Sequence, residues 1–180
     1  ITKAPLPSWL FILKAFFTKR LESKHIIDLW MSPESKGFIF SRSAWSLDFI
    51  AKYRLSVLEQ DTLNIWIPSY FCNASLAPLR KLKSNLFFYP IKECGNPNIE
   101  EINNMLLENY KPDLIVGVHY FGKIMNLEGL SEIANSNGAW LIEDSAHILK
   151  PNRRSNFSHF TLFSPHKFLP IYDGAILIVN

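Results

Sequence analysis

From residue 37 onward, short runs of β-branched and aromatic residues alternate with segments in which apolar residues recur at helical spacing. This alternation is typical of an α/β domain, because each helix crosses the sheet and brings the next strand parallel to the last. The predicted strands are residues 37–40, 63–67, 86–89, 114–118, 139–142, 159–163 and 175–179. The chain is therefore predicted to form a mostly parallel mixed sheet with helices on both faces.

Helical patterns fill the intervals between these strands. Ser41 or Ser43 is predicted to cap the first helix, because a serine hydroxyl at that position accepts a bond from a free backbone N–H. The apolar stripe of this helix consists of Ala44, Leu47, Ala51, Leu55 and Leu58. Further helices are predicted around 74–82, 99–106 and 127–134. Residues 1–36 are expected to be helix and irregular chain, and residues 37–180 one domain.

Composition and charge exclude several classes of protein. The chain has 180 residues, 48% of them hydrophobic, which suffices for one globular domain with a sizeable core. Its 19 basic and 16 acidic residues are scattered, so nucleic acid is not an expected partner. Cys72 and Cys94 form no CxxC pair, and neither is placed like a metal ligand. A reducing cytoplasm therefore fits the chain better than secretion.

The first apolar stretch and the two ends of the chain support two further expectations. Residues 9–17 are apolar but interrupted by Lys14, and they are fewer than the roughly 20 residues that span a bilayer. We expect a packing helix there, and no membrane partner. The chain begins at Ile1 and stops at Asn180 directly after an apolar run, which leads us to expect a processed or partial protein.

Polar residues gather at or just past the ends of the predicted strands, at positions 41–43, 69–73, 119, 144–147 and 164–167. Loops that follow the strands of an α/β sheet converge on one crevice. We therefore expect these residues to line a single pocket.

Asp144 and Lys167 are the strongest chemical candidates, although each has an ordinary alternative. Asp144 follows the apolar residues 140–142, so its carboxylate is expected deep in the crevice, where it needs a cationic partner. A helix cap or a structural salt bridge explains it equally well. Lys167 supplies a primary amine that can form an imine with an aldehyde. Taken alone, it is better explained as a surface lysine.

The remaining candidates are weaker. Residues 41–43 sit between a strand and a helix, so their hydroxyls and the free helix N–H groups suit a phosphate, although a simple serine cap and a solvated Arg42 explain them as well. His147 is more often a structural histidine than a catalyst. Cys72 with His147 as base would suggest a hydrolase, but a buried, inert cysteine is the favoured interpretation. The GxGxxG and GxxxxGK[ST] motifs are absent.

The order of these motifs is more specific than any one of them. A serine-rich turn at 41–43 is followed by IPSY at 67–70, VHYFG at 118–122, IEDSAH at 142–147 and SPHK at 164–167. This order resembles the DegT/DnrJ/EryC1/StrS family of sugar aminotransferases, which depend on pyridoxal 5'-phosphate (PLP) and have the aspartate-aminotransferase fold. The resemblance runs from residue 37 to residue 180.

The resemblance implies a role for each candidate. Lys167 matches the lysine that holds PLP as a Schiff base, and Asp144 matches the aspartate bonded to the pyridine nitrogen. The family commonly has a phosphate-binding serine five positions before the lysine, where this chain has Leu162. The other implied cofactor contacts are His147 beside the ring, Phe71 stacked on it, Ser41, Arg42 and Ser43 at the phosphate, and Ser164 in place of the missing serine.

The implied reaction transfers an amino group from an amino acid donor to a nucleotide-linked keto sugar, for polysaccharide or glycosylated metabolite synthesis. Family members are homodimers, so a homodimer is expected for the complete protein, and this chain is expected to stop before their C-terminal small domain. A sister group of sugar dehydratases has histidine at the lysine position; here His166 is adjacent, and Lys167 matches the catalytic position. Two alternatives stay open, a catalytically incomplete PLP-fold module and a dehydratase-type relative.

Overall fold

Seven strands form one sheet in the part of the chain that the computed structural model describes, residues 6–18, 26–108, 110–149 and 157–180. The strands are β1 (Lys36–Phe40), β2 (Leu63–Pro68), β3 (Ser84–Tyr89), β4 (Leu114–Val118), β5 (Trp140–Ser145), β6 (Phe160–Phe163) and β7 (Ala175–Val179). The helices are α1 (Trp9–Phe17), α2 (Ser43–Leu58), α3 (Asn73–Leu76), α4 (Ile99–Leu107) and α5 (Glu128–Asn137), with 3₁₀ turns at Leu79–Lys81 and Pro165–Lys167.

The sheet order is β1-β7-β6-β5-β4-β2-β3. The five strands from β6 to β3 pair in parallel, while β7 is antiparallel to both β6 and β1. Only β7 therefore runs against the other six described strands. The predicted mostly parallel mixed sheet is confirmed, and the carboxyl ends of β1, β2, β4, β5 and β6 all lie at one edge.

Side chains alternate between the two faces of the strands and build two cores. On one face, Ile65, Ile67 and Val116 pack with Leu47 of α2. On the other face, Trp66, Ile115 and Leu141 pack with residues of α4 and α5, among them Ile102, Leu130 and Ile133. The strands β2, β4 and β5 are thus covered on both sides, which explains their nearly continuous apolar sequences.

Two helix predictions need correction. The N-cap of α2 is Arg42, in an extended conformation and without a side-chain capping bond, so neither Ser41 nor Ser43 caps this helix. The helix expected at 74–82 is divided into α3 and a 3₁₀ turn, separated by a segment that contains Pro78. Proline has no N–H to donate and its ring obstructs the preceding turn, so a continuous helix is disfavoured there.

Helix α1 begins at an N-cap, Ser8, whose hydroxyl accepts the Phe11 N–H at 3.2 Å. None of its nine residues is buried, and three of its aromatic side chains are at least 80% exposed: Trp9, Phe16 and Phe17. The expected packing helix is therefore present as a helix, but it has no buried face. None of the described helices is long and apolar enough to cross a membrane.

Candidate active site

The strand ends surround a cavity of about 310 Å³ at the edge where the parallel strands finish. Five of the predicted site residues line it: Ser43, Phe71, Asp144, His147 and Lys167. They come from the start of α2, the loop after β2, the end of β5 and the turn after β6. The structure thus brings together residues that lie far apart in the sequence.

Asp144 occupies the floor of this cavity. It lies near the end of β5, on the same side of the strand as the core residue Ile142, and only 7% of it is exposed. The Ala146 N–H donates to Asp144 Oδ1 at 2.9 Å. Burial raises the pKa of Asp144. The hydrogen bond from Ala146 and the charges of Lys167 and His147 lower this pKa, but the effect of burial is larger. In the described chain Asp144 has no ion-pair partner within 4.0 Å, so its charged form would gain from a bound cation.

Lys167 ends the 3₁₀ turn that begins at Pro165. Its backbone N–H donates to the Ser164 carbonyl at 3.0 Å, which closes the turn and directs the lysine to the cavity edge. The side chain is half-buried and lines both this cavity and a second one of about 490 Å³. A lysine in this place is not the fully solvated surface residue that its local sequence suggests.

His147 and the loop after β4 form one wall of the cavity. The Phe121 N–H donates to His147 Nδ1 at 3.3 Å, and the two rings stack with centroids 5.6 Å apart and planes 14° from parallel. Phe121 has a φ of 52°, in the left-handed region that side chains disfavour. Burial, and then the charge of Lys167, lower the pKa of His147 more than the charge of Asp144 raises it.

The second cavity opens at the amino end of α2. Arg42 and Ser43 line it together with Lys81, His166 and Lys167. Ser43 and Lys167 line both cavities, so the two spaces adjoin at these residues. Free backbone N–H groups and the helix dipole favour an anion at such a helix start.

Ser41 and Ser164 line neither cavity. The Ser41 carbonyl accepts the Gly174 N–H at 2.9 Å, which joins the end of β1 to the start of β7. Ser164 is fully buried, and its hydroxyl has no hydrogen-bond partner among the described residues. Their predicted contacts with a cofactor phosphate stay predictions, as do the cofactor roles of the cavity residues.

Cys72 requires a correction. It is exposed and lines both cavities, so the predicted burial of this cysteine is wrong, while its inertness stays a prediction. Burial of the thiol raises its pKa, but hydrogen bonds from Ser75 and Ala74 and the charge of Lys167 outweigh this and lower it overall. No hydrogen bond joins Cys72 to His147 within the described residues, so the nucleophile and base of a hydrolase are not assembled.

Tyr70 lies within positions 69–73, which were predicted to line this pocket, but sequence reasoning missed other parts of the wall, including Ser75, Tyr120 and Phe121. The Tyr120 hydroxyl donates to the Tyr70 carbonyl at 2.6 Å, and Tyr70 packs against the rings of Tyr120 and Phe121. Aromatic residues in a strand-end motif are usually assigned to a core. Tyr120 and Phe121 directly follow His119, which was predicted to line the pocket, and this position is the signal that could have identified them.

The fold matches solved structures of an aminotransferase and of a sugar dehydratase. Helicobacter pylori PseC, an aminotransferase involved in the biosynthesis of pseudoaminic acid, superposes with a TM-score of 0.76 at 20% identity, over 99% of this chain and 51% of that chain. The GDP-4-keto-6-deoxymannose-3-dehydratase ColD superposes with a TM-score of 0.69 at 14% identity, over 87% of this chain and 42% of that chain. The fold is therefore that of the PLP-dependent aminotransferases, and this chain corresponds to about half the length of those proteins.

The family follows from the sequence itself. The model of the DegT/DnrJ/EryC1/StrS aminotransferase family matches residues 59–179, and the chain belongs to this family. An uncharacterized protein of Methanocaldococcus jannaschii is 28% identical over 120 residues, which are 63% of this chain and 30% of that protein. This chain thus covers about half the length of PseC and 30% of the length of the Methanocaldococcus jannaschii protein.

Proposed function

We propose that the protein is a PLP-dependent aminotransferase that transfers an amino group from an amino acid donor to a nucleotide-linked keto sugar. The observation that carries the proposal is the shared cavity of Asp144 and Lys167, which reach it from β5 and from the turn after β6. Membership of the aminotransferase family supports the same reaction class.

The residues of the cavity fit PLP. Asp144 is a buried carboxylate without an ion-pair partner among the described residues, so the protonated nitrogen of a pyridine ring would supply the missing cation. The amino end of α2, with Ser43 lining both cavities, suits a phosphate. Lys167 provides the primary amine that bonds to an aldehyde. When bound, PLP supplies the electron sink for the carbanion that transamination requires.

The side chains divide the remaining work. Asp144 keeps the ring nitrogen protonated, because its own carboxylate is stabilised by that charge. Lys167 holds the cofactor and acts as the general base that removes and returns the substrate proton. His147 stacks on Phe121 and forms one wall of the cavity beside Asp144.

The substrate class and partners are part of this proposal. PseC serves the biosynthesis of pseudoaminic acid, and ColD is a dehydratase of a GDP-linked keto sugar. These neighbours support a nucleotide-linked keto sugar as amino acceptor, and a role in polysaccharide synthesis. We further propose a cytoplasmic homodimer for the whole protein, in which the half that this chain lacks relative to PseC completes the substrate site.

A dehydratase is the second candidate, because ColD shares the fold. The position of His166 argues against it. His166 Nδ1 lies 2.8 Å from the Gly174 carbonyl oxygen, and His166 lines only the second cavity, whereas Lys167 lines both. Lys167 is therefore better placed beside Asp144 than the neighbouring histidine.

Borohydride reduction tests the proposal. The whole protein is incubated with PLP and reduced, and the modified peptide is mapped by mass spectrometry. We expect a pyridoxyl group on Lys167, lost in Lys167→Ala and kept in Lys83→Ala, a matched control at an exposed lysine before β3. A folded protein labelled elsewhere, or a Lys167→Ala variant that still aminates a keto sugar, would refute the assignment. A product that has lost water and gained no nitrogen would favour the dehydratase.

A further inference from the structure

Asp144 has an acidic neighbour, Glu143, that the proposed function leaves without a role. Successive side chains of a strand point to opposite faces, so Glu143 leaves β5 on the side away from Asp144. It is buried, with 7% of its surface exposed. Its Oε1 lies 2.7 Å from His119 Nε2, and its Oε2 accepts the Ser158 hydroxyl at 3.1 Å. Two adjacent buried carboxylates therefore have different surroundings.

The hydrogen bonds of His119 define its tautomer. The Met125 N–H donates to His119 Nδ1 at 2.9 Å, so Nδ1 is an acceptor and carries no proton. The ring proton is therefore on Nε2, from which it is donated to Glu143. His119 is 3% exposed, and both of its ring nitrogens have a partner within the protein.

His119 connects this buried pair to the cavity wall. It directly follows β4 and lines the cavity beside Asp144. Its bond to Met125 closes a loop whose intervening residues include Tyr120 and Phe121, the aromatic wall of the cavity. If the ring turned or changed tautomer, the Met125 N–H would face an N–H of the histidine ring, which cannot accept a hydrogen bond. The loop from His119 to Met125 would then lose the bond that closes it.

We propose that Glu143 is a positioning residue for the cofactor site: it orients His119 as the Nε2–H tautomer and thereby fixes the aromatic wall formed by Tyr120 and Phe121. The inference rests on the proposed function, since PLP is the ligand whose ring this wall would contact. Glu143 lines neither of the two cavities. Its effect on binding therefore passes through His119.

Two variants separate positioning from mere stability. Glu143→Leu keeps the volume but removes the acceptor, and the PLP dissociation constant should rise roughly tenfold, the effect expected for loss of a hydrogen bond to a charged group. Glu143→Gln keeps an acceptor for His119 and should restore affinity to within about threefold of the unmodified protein, by the same reasoning. Glu132→Leu, at an exposed glutamate on α5, is the matched control.

The measurements are PLP titration by absorbance on the folded whole protein and a double-mutant cycle with His119→Leu. If Glu143 acts through His119, the two substitutions are not additive, and the double variant binds PLP no more weakly than His119→Leu alone. Additive effects, or a Glu143→Leu variant that binds PLP as the unmodified protein does, would overturn the inference.

Nitrogen NMR of the His119 ring tests the same inference without PLP or any variant. The expected spectrum shows a protonated Nε2 and an unprotonated Nδ1, whereas a proton on Nδ1 would refute the positioning role. If the unmodified protein shows the Nε2–H tautomer but binds no PLP, the proposed function fails while the Glu143 to His119 contact stands. If it binds PLP and shows the wrong tautomer, only the inference about Glu143 fails.

Discussion

Leu162 is the position at which this chain has leucine where the family commonly has a phosphate-binding serine. It lies in β6, is fully buried, and belongs to the core between the sheet and α2, next to Asp144 in the strand register. It lines neither cavity. Leu162→Ser should therefore destabilise the protein without improving the binding of a phosphate.

The magnitude follows from two contributions. Shortening a fully buried leucine leaves a cavity and costs about 2–5 kcal/mol. A buried hydroxyl without a partner adds about 1–3 kcal/mol, so the free energy of unfolding should fall by roughly 3–8 kcal/mol. Such a loss approaches the whole stability of an ordinary domain, about 5–15 kcal/mol.

Urea unfolding followed by circular dichroism measures this loss, with Leu162→Met as a control that conserves volume and should cost less than about 1.5 kcal/mol. PLP titration of the folded fraction provides the second measurement. A loss below about 1 kcal/mol, or tighter PLP binding by Leu162→Ser, would show that residue 162 faces the cofactor site and not the core.

Two further predictions concern buried polar groups. The Tyr89 hydroxyl donates to the Val116 carbonyl at 2.7 Å inside the protein. Tyr89→Phe should therefore lower the free energy of unfolding by about 1–2 kcal/mol in a urea titration. An unchanged urea midpoint would contradict this hydrogen bond. Burial raises the pKa of Asp144 in the folded protein. Without PLP, the free energy of unfolding should therefore fall as the pH rises from the ordinary aspartate pKa to the raised one, because over this range the folded state binds more protons than the unfolded state. Asp144→Asn should remove that loss in melting temperatures measured against pH, and an identical pH dependence in both proteins would refute it.

The strands were predictable because β2, β4 and β5 are buried on both faces and have nearly continuous apolar sequences. Their order was not, since it depends on contacts between distant segments, such as β1 with β7. The cap of α2 was missed because a serine on either side of Arg42 satisfies the usual preference, while the backbone selects Arg42 itself.

The chemical groups of the site were easier to predict than its walls. Asp144 and Lys167 were identified by chemistry and by motif order, and the structure places both on one cavity. Tyr120 and Phe121 carry no chemical signal, so only the path of the loop after β4 reveals them. Glu143 differs from Asp144 by one position in the strand, and the alternation of side chains, which is visible in the sequence, separates their surroundings.

The reversed strand β7 has a consequence for synthesis of the protein. Among the described strands, β1 pairs with β7 alone, from Lys36 with Val179 to Phe40 with Ala175, and the Gly174 N–H reaches back to Ser41. A nascent chain that has not yet released residues 174–179 from the ribosome therefore offers β1 no neighbour, and the turn at the start of α2 stays unanchored. The start of α2, which lines the strand-end cavity, is consequently anchored only after residues 174–179 have left the ribosome.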